Sequence, residues 1–109
     1  MNAPMLSAWQ LIDRATEMDD ALTIHLAVGR PPLVRIAERG LQPLGEDLPV
    51  MTWKSIQQLL SLAVEPERWM TIEAMGEGEV PLTPPGTGSP LRLVLFRNSE
   101  AWSAVIHLG

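Results

Sequence analysis

The segment Ala21 to Ile36, ALTIHLAVGRPPLVRI, constrains the fold more than any other part of the chain. It reads as two short strands joined by a Gly29-Arg30-Pro31-Pro32 turn, since glycine and proline interrupt an apolar alternating run. Alternation in the first strand sets Leu22, Ile24, Leu26 and Val28 on one face and Thr23, His25 and Ala27 on the other. The second strand carries Arg35. A half-buried strand of this kind shows a lone imidazole on its polar face. On spacing alone His25 is either a locally bonded surface group or a contact residue.

Length and charge exclude several functions. A chain of 109 residues supports one domain with one modest core. With no cysteine, thiol chemistry, disulfides and thiolate zinc sites are all ruled out. His25 and His107 are the only histidines and lie far apart, a poor start for a metal site. The net charge of −5 and scattered arginines argue against nucleic acid, which requires clustered cations. The N-terminal MNAPMLSAWQ lacks the basic start and apolar run of a signal peptide. No apolar run approaches the roughly 20 residues of a membrane helix, so the expectation is a cytoplasmic domain.

The remaining segments complete an α+β pattern. Ser7 to about Met18 reads as an amphipathic helix with a Ser7/Gln10 capping box and Ala8, Trp9, Leu11, Ile12 and Ala15 along one stripe. Asp19 and Asp20 form a polar joint. Glu38-Arg39-Gly40 reads as a turn, Leu41 to Leu44 as a third strand, and Gly45 to Pro49 as a link. Thr52 caps a second helix running to about Val64, with Trp53, Ile56, Leu59, Leu60 and Ala63 inward. Pro66 opens a third helix with Trp69, Ile72 and Met75 as its apolar positions, and Gly76 suits its left-handed end. Glu77 to Leu82 is an edge strand, since Gly78 and Pro81 are poor in a sheet interior. Thr83 to Pro90 is a loop. Leu91 to Arg97 and Ala101 to Leu108 are the clearest strands, joined by an Asn98-Ser99-Glu100 turn. Helix, three strands, two helices and about three strands predict an antiparallel sheet of about five or six strands with three helices.

No catalytic set converges. Lys54-Ser55 resembles the end of a P-loop, but the glycines that motif needs are replaced by Trp53 and Leu48. Glu77 and Glu79 share a strand face and read as solvated charges rather than a catalytic pair. Ser7, Ser55 and Ser103 lack a glycine-flanked elbow. The four tryptophans sit at core spacings. Arg92 lies mid-strand on the face away from the leucines, where a guanidinium needs a partner, and Arg97 ends the strand.

Taken in order, these segments resemble the N-terminal domain of the motor ATPases of type IV pili and type II secretion, most closely that of the pilus retraction motor. Ala21-Leu22-Thr23-Ile24-His25-Leu26 is similar to that family's Ala-Ser-Asp-(Ile/Leu)-His-Leu strand, and Gly29-Arg30-Pro31-Pro32 to its Gly-x-Pro-Pro turn. Gly40-Leu41-Gln42-Pro43-Leu44, Glu67-Arg68-Trp69 through Gly76-Glu77, and Leu91 to Arg97 resemble later segments in the same order. The departures fall at polar positions. Leu22-Thr23 replaces Ser-Asp, Pro90 replaces a strand arginine and Val94 a strand asparagine, while Arg92 is kept.

The resemblance implies a PAS-like, non-catalytic domain with no metal or cofactor of its own. In that family the domain is linked to a RecA-like ATPase domain, packs on a neighbouring subunit's ATPase domain and moves with the nucleotide cycle. The implied partners are therefore the ATPase domain of a motor or other ring subunits, with no nucleic acid and no direct membrane insertion. Family arginines help close the nucleotide site, which makes Arg92 and Arg97 the candidates there. His25, Arg30 and Arg35 are the candidates for a subunit interface. The implied location is cytoplasmic, with a peripheral position at the inner membrane face through a pilus or secretion complex. The alternatives are a PAS-like small-molecule sensor and a stand-alone adaptor. A P-loop encoded shortly after Gly109 would make the chain a motor fragment, and a stop codon an adaptor.

Overall fold

The computed structural model describes residues 7–61, 64–84, 86, 90–98 and 101–108. The elements run α1 (Ala8–Thr16), β1 (Ala21–Ala27), β2 (Leu33–Ile36), β3 (Gly40–Pro43), α2 (Trp53–Leu60), α3 (Pro66–Met75), β4 (Glu77–Leu82), β5 (Leu91–Arg97) and β6 (Trp102–His107). The strands form one six-stranded sheet in the order β3-β2-β1-β6-β5-β4, every neighbouring pair antiparallel. Two three-stranded meanders, one from each half of the chain, thus meet along β1 and β6. The α+β architecture with three helices matches the expectation.

Local chemistry sets the helix starts. Ser7 Oγ accepts from the Gln10 backbone N–H at 3.3 Å and Gln10 Oε1 accepts from the Ser7 N–H at 2.7 Å. Thr52 and Ser55 repeat this reciprocal cap on α2 at 3.1 and 2.8 Å. Each box satisfies N–H groups that a helix start otherwise leaves unpaired. Pro66 stands in the first turn of α3, and Gly76 ends that helix at φ 80°, donating its N–H to the Ile72 carbonyl.

All three helices cover the same face of the sheet. Leu11, Ile12 and Ala15 from α1 and Ile56, Leu59 and Leu60 from α2 share one core with Ile24, Leu26, Val34, Leu93, Leu95, Ala104 and Ile106 from the strands. Burying each large aliphatic side chain there contributes about 1.5–3 kcal/mol. At one end of the core, Trp53 stacks on Trp102 with centroids 4.9 Å apart and meets the edge of Trp69 at 5.6 Å. Such pairs add about 0.5–1.5 kcal/mol beyond area burial, and they join α2, α3 and β6. The tryptophans are packing residues.

Several expected details differ. Leu22 does not face the core and is 46% exposed, because the β1–β2 register slips between Ala21 and Thr23 and leaves Leu22 as the extra residue. Val28 lies past the end of β1 and is also exposed. Met75 is 71% exposed, so Ile72 is the buried residue of α3 and Trp69 packs only partly on the core. Helix α1 ends at Thr16, short of Met18, because Glu17 already caps it. Strand β3 starts one residue early, at Gly40. Helix α2 ends at Leu60, and the expected inward Ala63 lies outside the described residues, as do Ser99 and Glu100 of the last turn and part of the loop before β5.

Gly78 marks the tightest junction between helix and sheet. A Cβ built there would stand 2.5 Å from Ile72 Cγ1, inside any real carbon contact. Its hydrogen lets Ile72, 3% exposed, lie directly against β4. Gly78→Ala is expected to destabilise the domain by about 1–3 kcal/mol through overpacking. The same change in an Ile72→Ala background should cost much less, since the clashing carbon is gone. Chemical denaturation of the four proteins measures this coupling, and equal costs in both backgrounds would refute the contact.

Candidate functional site

The face of the sheet opposite the helices is uncovered. Strand alternation places Thr23, His25 and Ala27 from β1, Leu33 and Arg35 from β2, Leu41 and Pro43 from β3, Ser103, Val105 and His107 from β6, Arg92, Val94 and Phe96 from β5, and Glu77 and Glu79 from β4 on this side. None of these residues is buried.

Register arranges the side chains in rows across the strands. Arg35 pairs with Thr23, Thr23 with His107, and His107 with Arg92, so two guanidinium groups and an imidazole stand in one line. The next row runs Leu33, His25, Val105 and Val94. His25 joins the rows, its Nε2 lying 2.8 Å from Thr23 Oγ1. The Arg92 guanidinium donates to His107 Nε2 at 3.4 Å, a long hydrogen bond. Its Nε also lies 3.5 Å from a Glu79 carboxylate oxygen. Both side chains of that pair are more than half exposed, so the ion pair is weak and exchangeable.

The structure therefore brings three of the five residues singled out from the sequence onto one surface: His25, Arg35 and Arg92. The other two lie elsewhere. Arg30 is exposed in the β1–β2 turn, a segment pinned by Gly29 N–H to Met51 and Met51 N–H to Arg30, both at 2.8 Å. Arg97 ends β5 with its guanidinium 5.7 Å above the Trp102 ring, a cation–π contact. His107, Thr23 and Glu79 belong with the cluster but were not assigned to a site from the sequence. Alternation within β6 already sets His107 with Ser103 and Val105, opposite Trp102, Ala104 and Ile106. Its neighbours depend on pairing with β1, which no local pattern encodes.

Among the described residues no group of three or more histidine, aspartate or glutamate side chains is placed to hold a metal ion. No helix of the described residues is long and apolar enough to cross a membrane. The exposed groove beside β4 and β5, bordered by Met75, Glu77, Glu79, Val94 and Phe96, opens onto the same surface.

Partial burial holds the His25 imidazole below its ordinary pKa of 6.5, and the nearby charges of Arg35 and His107 push it the same way. The folded state thus prefers a neutral His25. This preference costs nothing above pH 6.5, where the unfolded imidazole is neutral too. As pH falls below 6.5 toward the lowered folded value, the unfolded chain binds a proton that the folded chain resists, and stability is lost. The stability of the wild type relative to His25→Gln is expected to decrease between pH 8 and pH 5. Denaturant titrations across that range test this, and a constant difference would refute it.

No family model matches the chain, and no curated protein matches it. Solved structures do. The chain is similar to the pilus retraction motor PilT with bound ADP, with a TM-score of 0.78 and 24% identity over 94% of its length. It is also similar to the Legionella pneumophila ATPase DotB, with a TM-score of 0.75 and 11% identity over 98% of its length. The chain spans 29% of the PilT chain and 30% of the DotB chain. The chain therefore shares the fold of a portion of each of these two longer chains.

Proposed function

We propose that this chain serves as a non-catalytic assembly or regulatory domain of a pilus or secretion motor ATPase, acting by protein contact with the ATPase ring. The observation that supports this most is the fold match: it takes in 94% of this chain yet only 29% of the retraction motor. The sequence agrees, because the P-loop glycines are missing around Lys54, which lies within α2. The uncovered sheet face, with His25, Arg35 and Arg92, supplies a contact surface distinct from the helical side. On this reading the domain is PAS-like in type and works in the cytoplasm, reaching the inner membrane face only through the motor complex.

The core bears on the competing sensor reading. Leu26, Leu93, Leu95 and Ile106 are completely buried against the helices, so side chains already occupy the space between helices and sheet. Contact with another protein uses the exposed side of the same strands.

Purified chain added to a purified pilus retraction motor is expected to co-elute with the ring and to change its ATP turnover, while hydrolysing no ATP alone. Co-elution on size-exclusion chromatography and a coupled phosphate-release assay provide the measurements. If the chain neither co-elutes with the ring nor changes its turnover, the reading is overturned.

A further inference from the structure

We infer that the row Arg35–Thr23–His107–Arg92, with the apolar row beside it, is a docking surface for an acidic, partly apolar segment of a partner protein. This deepens the protein-contact reading above by naming the chemistry of the partner surface, and it rests on that reading only for the identity of the partner.

Charge complementarity carries the inference. The chain has a net charge of −5, yet one row across the uncovered sheet face holds two of its eight cationic side chains with His107, while the carboxylates of that face, Glu77 and Glu79, stand on the bordering strand β4. Among the described residues no ion pair involves Arg35, and the one involving Arg92 is exposed and 3.5 Å long. An incoming carboxylate gains at once, since guanidinium groups match carboxylates with paired N–H donors.

The geometry selects among anions. The row crosses β2, β1, β6 and β5, so three interstrand gaps separate Arg35 from Arg92, about 14 Å at the usual strand spacing. One phosphate cannot reach both ends. The surface is an open sheet face whose inner-strand backbone N–H groups are engaged in the ladder, unlike the concave nests that enclose phosphate. Two carboxylates on one protein segment can span that distance. In the neighbouring row, Leu33, Val105 and Val94 are partly exposed and apolar around His25, and they offer contact to aliphatic side chains between or beside those carboxylates. Glu79 at the β4 end, already beside Arg92, is the internal carboxylate that such a segment displaces.

Nuclear magnetic resonance titration of the isotope-labelled chain tests this with three probes. These are an amphipathic peptide with glutamate and leucine on one face, its Glu→Gln counterpart, and inorganic phosphate. The glutamate peptide is expected to shift the Thr23, Arg35, Arg92 and His107 signals saturably, and the glutamine peptide to bind about tenfold more weakly. Arg35→Ser and Arg92→Ser should each weaken binding several-fold with the melting temperature unchanged, and Glu79→Gln should tighten it. Equal binding of both peptides, shifts confined to another surface, or phosphate outcompeting the glutamate peptide would overturn the inference. Because the probe is a peptide, its failure would leave co-elution with a motor ring a separate question.

Discussion

Pairing between the first and last strands holds the domain together. Ile24 opposite Ile106 and Leu26 opposite Ala104 place fully buried side chains at the centre of the sheet, where the two meanders meet. Without that seam each half would be a three-stranded ribbon with an apolar face and a bare inner edge. With it, the six strands make a surface broad enough for three helices to cover. The tryptophan stack depends on the same seam, because Trp102 belongs to β6 while Trp53 and Trp69 come from the helices. The cationic row depends on it too, since Thr23 and His107 face each other across it.

The two sides of the sheet divide the work. Under the helices every buried side chain among the described residues is apolar. The polar strand residues collect on the other side, where solvent tolerates them and a partner can reach them. Arg14, bound to Asp47 by two hydrogen bonds of 3.0 and 3.1 Å, keeps the α1 side closed over the link before α2. That contact raises the arginine's pKa and lowers the aspartate's, as expected for a bidentate pair. Its two-point geometry contrasts with the longer, single Arg92–Glu79 contact on the open face, although both pairs are solvent-exposed.

What the sequence made readable is local. The caps at Ser7 and Thr52, the proline and glycine that bound α3, and the alternation of β5 and β6 depend on neighbours a few residues apart, and each was legible. The bulge at Leu22 was not, because alternation is a property of one strand whereas register belongs to two. Met75 was misplaced for a related reason: spacing along α3 does not reveal how far the sheet extends beneath it. The candidate site shows the same limit. His25, Arg35 and Arg92 could each be noticed singly, but their assembly with His107 requires three strand pairings. Arg97 was legible as the residue that ends the strand, but its place over an indole ring was not, because Trp102 comes from the neighbouring strand.

The two borders of the sheet differ in how they resist joining another sheet. At β4, Pro81 removes one backbone donor and Glu77 and Glu79 add negative charge, so a second strand laid alongside meets a missing hydrogen bond and repulsion. At β3 the protection is mainly brevity, four residues ending in Pro43, with Leu41 half-exposed beside it. Self-association in a concentrated solution should therefore begin at β3, and a lysine in place of Leu41 is the change that would make the two borders alike.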